Sequence, residues 1–483
     1  MKNSPGQKGR VMSPSMACVL FAVALLLSPS GAAEKTGGEN GALNVILIVV
    51  DDLGWMDLGC QGSDYYRTPH IDSLAAEGVR FTDAYSACAV CSPTRASILT
   101  GKYPARLLFT QWLPAGRWNP EKHAMREGRF LRQLPLEEIT LAEALRPSHA
   151  TLHVGKWHLG GRPFSLPEQH GFDMNVGGSE HGAPGDYFFP YEGTWLIPTT
   201  EKEVLKVTLP DGEEGEYLTD RLTREAIALI EEKRDRPFFL HLPFYSVHTP
   251  LQARKEKIQF YETIPKNKQQ GKPTYAAMVE TVDDSVGAIL DSLKGAGLRE
   301  STYLIFTSDN GGFARATDNS PLRANKGSHY EGGIRVPMIV SGPGIRSGVV
   351  SNEPVITNDL YPTILEFVGH PAIPLQHLDG ISLAGHLEDG RELRRDSLYW
   401  HYPHYNRHPS SAPVSMVRRG NWKLIEFLED GELELYNLEN DIGETRNLIE
   451  EKPDLAADLK DELSQWKEDV GADPMLPNPR FTP

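Results

Sequence analysis

Residues 45–52 read Val-Ile-Leu-Ile-Val-Val-Asp-Asp, an unbroken apolar run that ends in two carboxylates. Such a run is typical of a strand that is buried on both faces, as in a parallel sheet covered by helices. A second strand-like run, residues 302–307, leads into Ser308-Asp-Asn-Gly-Gly312. Ligands bind at the C-terminal ends of the strands in an open α/β sheet. The polar residues after the two runs are therefore predicted to meet in one site.

Apolar runs and helical patterns alternate through most of the chain, which indicates a doubly wound sheet. We predict strands at residues 238–245 and 336–340, and helices at residues 68–76 and 274–293. We therefore expect an α/β fold in which a large central, mostly parallel sheet is flanked by helices.

The pattern changes near residue 385 to charged segments that include strand-like pieces at 415–418, 422–427 and 433–436. A helical pattern over residues 454–470 follows them. These features predict a smaller C-terminal α+β domain, an antiparallel sheet with one covering helix, over residues 385–483. The larger domain, which holds both strand ends, is predicted to span residues 41–384.

The first 33 residues have the composition of a secretory signal peptide. Basic residues precede an apolar run at 16–27, and small residues then offer a cleavage site before Glu34. The apolar run is too short for a membrane span, although an uncleaved anchor is the alternative. We expect export to the periplasm or the medium, with no integral span after cleavage.

The net charge and the cysteine content argue against a nucleic-acid-binding protein and against a fold held by several disulfides. The formal net charge is −16, from 49 Lys+Arg and 65 Asp+Glu. Such an acidic chain is a poor partner for nucleic acid, because phosphate binding needs basic residues. Three of the 4 cysteines, Cys60, Cys88 and Cys91, lie beyond the signal segment, so at most one disulfide can form and one thiol is left over.

The strand ends carry four oxygen-bearing side chains: Asp51, Asp52, Asp309 and Asn310. Converging carboxylates repel one another unless a cation lies among them. Ligands that are all oxygen select a hard ion, calcium or magnesium, rather than zinc. An Asp-Asp pair alone is more often a turn or cap feature, but two such strand ends together favour one metal ion.

The segment Cys91-Ser-Pro-Thr-Arg95 precedes a helical pattern that Gly101 ends. We predict Ser92 as the N-cap and Pro93 as the first helical residue. Cys91 would then lie at a helix N-terminus, where backbone N–H groups favour an anion. Arg95 lies one turn further on and is predicted to point toward the same place.

With these motifs the chain resembles the type I, formylglycine-dependent sulfatases of the alkaline phosphatase superfamily. Their hallmark is Cys-x-Pro-Ser/Thr-Arg followed by a segment similar to residues 96–104 of this chain. Further similar motifs are Asp51-Asp-Leu-Gly-Trp55, Gly155-Lys-Trp-His-Leu-Gly160, Ser246-Val-His-Thr-Pro250, Lys326-Gly-Ser-His-Tyr-Glu-Gly-Gly333 and Arg419-Gly-Asn-Trp-Lys-Leu424. The resemblance implies an alkaline phosphatase-like fold and hydrolysis of sulfate esters.

The resemblance also implies that a formylglycine-generating maturation enzyme oxidises Cys91 to formylglycine (3-oxoalanine), whose aldehyde hydrates to a geminal diol. One diol oxygen would attack sulfur and displace the sugar or aryl alcohol, and loss of the proton from the second hydroxyl would then expel sulfate and regenerate the aldehyde. Residue 91 would thus join Asp51, Asp52, Asp309 and Asn310 around the single cation.

The remaining roles are implied in the same way. Lys156 and Lys326 would hold sulfate oxygens, and Arg95 would orient the diol. His158 would accept the proton of the second hydroxyl, and His248 would protonate the leaving oxygen. Taken alone, each of these residues has an ordinary structural interpretation.

The resemblance does not name the substrate. The expected substrate is a sulfated sugar or polysaccharide fragment, or else an aryl sulfate, and a phosphodiesterase or phosphonate monoester hydrolase of the same superfamily is the alternative function. A glycan-binding protein without activity is disfavoured by the complete set of reactive residues. His153, His241 and His329 are interpreted as structural, whereas Gly178-Ser-Glu-His181 and Arg323 are expected to border the pocket.

Overall fold

A computed structural model describes residues 43–114, 117–196 and 202–481. The predicted signal peptide lies outside these ranges. Within them, none of the helices combines the length and the apolar composition that crossing a bilayer requires. Cys60, Cys88 and Cys91 are all free thiols.

The central sheet has eight strands, and strands and helices are numbered here in chain order. In spatial order the strands are β12 (Val349–Ser351), β2 (Val79–Phe81), β11 (Met338–Ser341), β10 (Thr302–Ser308), β1 (Asn44–Val50), β9 (Phe238–Pro243), β5 (Ala150–Val154) and β6 (Met174–Val176). The five strands from β10 to β6 are parallel to one another, while β11 is antiparallel to both of its neighbours. The predicted mostly parallel sheet is confirmed.

The register of the sheet places the two predicted strand ends side by side. Strands β1 and β10 pair in parallel, with Val50 opposite Ser308. The polar residues that follow both strands therefore leave the sheet at the same edge.

Helices cover both faces of the sheet. The apolar residues of β1 alternate between two cores, Ile46, Ile48 and Val50 on one side and Val45, Leu47 and Val49 on the other. All of these side chains are fully buried, which is why the strand reads as one apolar run. The helices are α1 (Pro69–Ala76), α2 (Cys91–Thr100), α3 (Leu141–Leu145), α4 (Leu218–Lys233), α5 (Lys255–Glu262), α6 (Pro273–Gly295), α7 (Glu331–Ile334), α8 (Leu360–Phe367), α9 (Ala384–Asp389) and α10 (Pro453–Val470).

The C-terminal part forms the predicted second sheet. Its antiparallel strands are β14 (Ser397–Tyr402), β15 (Val414–Arg419), β16 (Trp422–Phe427) and β17 (Leu433–Asn437). Helix α10 buries Leu459, Leu463 and Trp466 in the core that this sheet shares. The remaining strands form three two-stranded ribbons: β3 (Ala84–Tyr85) with β13 (Val355–Ile356), β4 (Met125–Arg126) with β18 (Leu476–Pro477), and β7 (Glu192–Leu196) with β8 (Lys202–Lys206).

A buried group of charges joins the second sheet to the start of α7. Lys423 on β16 lies 2.9 Å from a carboxylate oxygen of Glu331 and 2.8 Å from one of Glu444. All three side chains are buried. Burial and the charge of Glu331 raise the pKa of Glu444, whereas Lys423 lowers it. Lys423 is thus the cation that lets two carboxylates stay buried together.

Replacing Lys423 by Met should destabilise the protein, because Glu331 and Glu444 would then be buried without this cation. We expect a loss of about 3–5 kcal/mol in the free energy of unfolding near neutral pH. The folded variant would bind more protons than its unfolded chain, so the loss should shrink as the pH falls toward about 5. Urea unfolding of both proteins at several pH values measures it.

The matched control is Lys460→Met on α10, whose side chain is 40% exposed and lies 3.8 Å from Glu426, a carboxylate that Lys467 also holds at 2.6 Å. It should change stability by less than about 0.5 kcal/mol. Adding Glu444→Gln to Lys423→Met should recover part of the loss. Equal effects of the two single variants, or a loss that is independent of pH, would contradict this account.

Candidate active site

Three carboxylates converge at the edge where β1 and β10 end. Carboxylate oxygens of Asp51, Asp52 and Asp309 all lie within 4.8 Å of one another, and all three residues are buried. The amide of Asn310 joins them, because its Nδ2 donates to Asp52 Oδ1 at 2.8 Å. The structure therefore brings together all four residues that the sequence placed at the two strand ends. We call them the carboxylate cluster.

The backbone turns sharply to present Asp52. Its φ of +64° lies in the left-handed region, which Asp tolerates better than most residues do. Two hydrogen bonds to the neighbouring strand end hold this turn: Asp52 N–H donates to Asp309 Oδ1 at 3.2 Å, and Leu53 N–H donates to Ser308 Oγ at 3.1 Å. The conformation is thus fixed by the pairing of β1 with β10.

Three cations lie among the carboxylates. Lys156 Nζ is 2.5 Å from Asp51 Oδ2, Arg95 is 2.7 Å from Asp309 Oδ2, and Lys326 Nζ is 2.6 Å from Asp52 Oδ1. Every carboxylate of the cluster thus has at least one basic partner, Arg95 lying also 3.8 Å from Asp51, and the six side chains are nearly inaccessible to solvent.

Burial and these neighbours set the pKa values of the carboxyl groups. Burial raises the pKa of Asp51 to about 8, which Lys156 opposes and the charges of Asp309 and Asp52 reinforce. For Asp52, burial acts in the same direction, but the Lys326 ammonium overcomes it and holds the pKa below its usual range. Burial and the different basic partners therefore move the pKa values of these two neighbouring carboxyl groups in opposite directions.

Two oxygens of the cluster are left without a donor. Asp51 Oδ1 and Asn310 Oδ1 are buried and have no hydrogen-bond partner among the described residues. Buried polar atoms are normally satisfied, so these two call for a ligand. One carboxylate oxygen and one amide oxygen beside two further carboxylates are the donors that calcium and magnesium prefer. The residues present fit one hard divalent cation.

Cys91 is the first residue of α2, and every residue of that helix is buried. The predicted capping was wrong: Val90, with extended backbone, is the N-cap, and Pro93 lies in the third helical position. Ser92 Oγ instead accepts a hydrogen bond from Leu113 N–H at 3.2 Å. Gly101 ends the helix as predicted, with φ +70°.

His158 faces Cys91 across the cavity floor. Its Nδ1 lies 3.4 Å from Cys91 Sγ, and its Nε2 lies 2.5 Å from the Leu113 carbonyl oxygen. A carbonyl can only accept, so Nε2 carries the proton and the Nδ1 lone pair points at residue 91. Burial lowers the pKa of His158 well below its usual value, which favours this neutral form.

The chain around His158 is under steric constraint. Its φ of +59° is left-handed. A Cβ atom at Gly182 would lie 2.4 Å from His158 Cε1, so only glycine permits this contact. Strained backbone of this kind is found where surrounding structure holds a functional side chain in place.

His248 has the opposite orientation. Its Nδ1 donates to the Thr249 carbonyl at 2.8 Å, and its Nε2 lies 3.8 Å from Asp52 Oδ2. Burial and the charge of Lys326 lower its pKa to about 3, although Asp52 acts the other way. The indole of Trp195 stacks on its ring at 6.3 Å.

Two adjoining cavities open above the cluster and share Trp112, Trp195 and His248. The larger, of about 450 Å³, is called the arginine lobe after three of its lining residues. Its lining includes Cys91, the histidines His248 and His408, and the charged residues Asp52, Lys326, Arg117, Arg315 and Arg407. The smaller, of about 280 Å³, is called the glutamate lobe, and its charged or titratable lining includes Glu180, Glu203, Arg132 and His181.

The predicted site residues occupy two layers. Cys91, Asp52, Lys326 and His248 line the arginine lobe. The others lie behind this surface: Asp51, Arg95, Lys156, His158, Asp309 and Asn310. Lys156 is fully buried against Asp51, so its contact with sulfate oxygens stays a prediction.

The prediction of residues that border the pocket is correct for the segment 178–181 and wrong for Arg323. Glu180 and His181 line the glutamate lobe. Arg323 does not line either cavity, because it lies over the Tyr330 ring at 3.7 Å and donates to Tyr436 on β17. His153 and His241 contact each other in the core through Nδ1 atoms 3.2 Å apart, in keeping with structural roles.

Several lining residues were not found from the sequence. Trp112, Trp195 and the three arginines lie in loops and a hairpin with no motif around them. The Leu113 carbonyl that orients His158 is a backbone atom, so residue type gives no signal for it.

Comparison with known proteins agrees with this geometry. The sulfatase family model matches residues 43–370, and the model for the C-terminal region of N-sulphoglucosamine sulphohydrolase matches residues 324–469. A sulfatase of Formosa agariphila is 33% identical over 519 aligned residues, which cover 93% of this chain and 92% of that protein. N-acetylgalactosamine-6-sulfatase of Mus musculus is 33% identical to this chain over an alignment that covers 80% of this chain and 74% of the mouse protein.

Solved structures give the same result. The crystal structure of Ps i-CgsB in complex with k-i-k-neocarrahexaose matches with a TM-score of 0.73 and 30% identity, over 88% of this chain and 93% of that chain. The family match, the relatives and the shared fold confirm the resemblance seen in the motifs. The chain belongs to the sulfatase family, the type I sulfuric ester hydrolases of the alkaline phosphatase superfamily.

Proposed function

We propose that this sulfatase removes sulfate from a sulfated sugar or polysaccharide fragment, using a formylglycine made from Cys91 and one divalent cation. The observation that supports it most is the position of Cys91. Its Sγ lies 3.4 Å from His158 Nδ1, at the start of a buried helix whose Arg95 pairs with Asp309 of the carboxylate cluster.

An unmodified thiol is poorly suited to this position. Burial raises the pKa of Cys91, and Asp51 and Asp309 act in the same direction against the two lysines. The thiol therefore stays protonated, and a thiol is a much weaker nucleophile than a thiolate. The hydrated formylglycine would supply one oxygen to attack sulfur and a second hydroxyl whose ionisation releases sulfate.

The modification requires a maturation enzyme that acts on the Cys-x-Pro-Thr-Arg segment. Because every residue of α2 is buried, that enzyme would reach Cys91 before the chain folds. Residues 1–33, which carry the predicted export signal, are consistent with maturation during secretion, and we propose that the mature enzyme is periplasmic or secreted.

Asp51, Asp52, Asp309 and Asn310 would hold the cation, calcium or magnesium, together with residue 91. Bound there, it would neutralise carboxylate charge and make an oxygen on residue 91 more acidic. The three carboxylates are already matched by Arg95, Lys156 and Lys326. The loaded site would therefore carry excess positive charge, which suits an anionic sulfate ester.

The two histidines are oriented for opposite proton transfers. The lone pair of His158 Nδ1 faces residue 91, so His158 can accept a proton there. His248 lines the cavity with its Nδ1–H held by the Thr249 carbonyl, so it can protonate the leaving oxygen from Nε2 once that atom, 3.8 Å from Asp52 Oδ2, has bound a second proton. Lys326, on the cavity wall, can hold a sulfate oxygen.

The cavity supports a carbohydrate as the alcohol part of the substrate. Trp112 and Trp195 line both lobes, and indole rings offer the flat apolar faces on which sugar rings stack. Two similar proteins act on or bind sugars by name, the N-acetylgalactosamine-6-sulfatase and the neocarrahexaose complex. A panel of defined sulfated mono- and disaccharides, with an aryl phosphonate as the competing substrate class, tests this assignment.

The first prediction concerns residue 91. Mass spectrometry of the tryptic peptide 81–95 from active protein should show that the sulfur of Cys91 has been replaced by an aldehyde oxygen. Cys88 lies in the same peptide and is the internal control, since it should remain a thiol that iodoacetamide alkylates. A fully active preparation in which both cysteines are alkylated would contradict the proposal, and Cys91→Ala should fold but have no activity.

The second prediction concerns the cation. Chelation should abolish activity and lower the melting temperature, and calcium or magnesium should restore both. At a cation concentration about 100 times Kd, the added stability should be about 2.7 kcal/mol. Asp51→Asn should lose this metal-dependent shift in melting temperature.

The control for the cation is Asp284→Asn. Asp284 belongs to another cluster, with His70 and Asp283, whose carboxylates are within ligand distance but partly exposed. This variant should keep the full metal-dependent shift. If Asp51→Asn also keeps it, or if zinc binds more tightly than calcium and magnesium, the assignment to the carboxylate cluster is wrong.

The third prediction separates the two histidines. A sugar alkoxide leaves far less readily than a nitrophenolate, so it depends more on protonation. His248→Ala should slow hydrolysis of a sulfated sugar by roughly 10²–10⁴-fold and that of nitrophenyl sulfate distinctly less. His158→Ala should slow both substrates toward a similar rate, because its step follows departure of the alcohol.

Steady-state and burst-phase kinetics with the two substrates measure these effects. His370→Ala, which changes a histidine outside both cavities, is the control and should retain full activity. Equal effects of His248→Ala on both substrates would mean that another residue is the acid, and Lys326 would be the next candidate.

A further inference from the structure

We infer that the arginine lobe receives a second anionic group of the substrate, a sulfate ester or a carboxylate on the sugar beside the one that is desulfated. The inference rests on the proposed function, since it assumes that the scissile sulfate lies against Cys91. It narrows the substrate from sulfated sugars in general to oligosaccharides that carry at least two negative charges.

The first observation is that three arginines on this cavity have no acidic partner. Arg117, Arg315 and Arg407 come from three separate segments of the chain and converge on one cavity. None of them forms an ion pair or a hydrogen bond with another described residue, and Arg117 Nε is buried without an acceptor. Other arginines of this acidic chain, such as Arg335 and Arg418, are paired with carboxylates.

The second observation is that these cations act on one another. Arg117 has a lowered pKa, about 10, because of burial and then of the positive charge of Arg407. Two neighbouring guanidinium groups without a counterion disfavour the folded state. An anion bound between them would remove that repulsion, and guanidinium binds sulfate and carboxylate oxygens through paired hydrogen bonds.

The scissile sulfate does not account for these arginines. It has to lie beside Cys91, whose electrostatic neighbours include Lys326 on the same cavity wall. Asp52 is the only carboxylate among the residues that line this lobe, and Lys326 holds it at 2.6 Å. Arg117, Arg315 and Arg407 therefore carry positive charge that neither Asp52 nor the scissile sulfate neutralises.

The glutamate lobe gives the substrate a direction. Its lining has two carboxylates, Glu180 and Glu203, against one arginine, Arg132, so it favours an anion less than the arginine lobe does, and its carboxylates can accept hydrogen bonds from sugar hydroxyls. His248, which both lobes share, marks the position of the leaving oxygen between them. A charged sugar would thus occupy the arginine side, and an uncharged one would occupy the glutamate side.

The test compares three disaccharides that share one scissile sulfate. The neighbouring sugar is neutral in the first, carries a second sulfate in the second, and is a uronate in the third. Wild-type enzyme should have a kcat/KM roughly 10–100-fold higher for a charged substrate than for the neutral one. Of the two charged substrates, the one with the higher kcat/KM identifies the anion, sulfate or carboxylate, that the arginine lobe binds.

Arg407→Ala and Arg315→Ala should each remove most of this preference, mainly through KM, and Arg407→Lys should retain part of it. The preference of the wild-type enzyme should also fall as salt is added, because exposed charges are screened. Arg234→Ala, at an exposed site on α4's C-terminal end with no described ion pair, is the control and should behave as wild type.

Failure of the two proposals is distinguishable. If no sulfate ester is cleaved, the proposed function is wrong, and calorimetric binding of the three disaccharides to Cys91→Ala protein still tests the lobe. Loss of affinity for the charged disaccharides on adding Arg407→Ala supports the inference. A wild-type enzyme that treats all three substrates alike, or arginine variants with an unchanged preference, would overturn it.

Discussion

The site depends on the parallel pairing of β1 with β10. This pairing brings three carboxylates within 4.8 Å of one another in a buried place, which is unfavourable unless positive charge compensates them. Arg95, Lys156 and Lys326 supply that charge from three different parts of the fold. Helix α2, the loop after β5 and the loop before α7 are thereby tied to the same strand ends. Asp51 Oδ1 and Asn310 Oδ1 remain without a donor among the described residues, so these are the oxygens that a bound cation would satisfy.

The second sheet stabilises the same region from the other side. Lys423 on β16 holds Glu331, the first residue of α7, and Lys326 lies in the loop that precedes this helix. Arg418 on β15 reaches Asp83, and Arg335 reaches Asp83 as well. The C-terminal sheet therefore stabilises, through these ion pairs, the helix and loops that lie next to the site. It also supplies Arg407 to the cavity wall, so its connecting loops contribute to the site directly.

Much of this arrangement could be predicted from the sequence, for physical reasons. Strands buried on both faces read as apolar runs, so β1 and β10 and the residues after them were found. The motif around Cys91 placed it correctly at a helix N-terminus, yet Ser92 was wrongly predicted as the cap, because its hydroxyl binds Leu113 N–H instead. Arg323 was misplaced because nothing in its sequence context shows that two tyrosines hold it. Arg117, Arg315 and Arg407 are almost 300 residues apart at the extremes, and only the folded chain brings them to one cavity.

The central claim is that the carboxylate cluster and residue 91 form one cation site with a formylglycine beside it. The most direct measurement is a high-resolution crystal structure of active protein with anomalous scattering data. We expect one calcium or magnesium ion bonded to Asp51 Oδ1 and Asn310 Oδ1, at about 2.3–2.6 Å for calcium or 2.0–2.1 Å for magnesium, with no sulfur signal at residue 91. A cluster in which ordered water alone satisfies those two oxygens, next to an intact Cys91 thiol in fully active protein, would contradict the account.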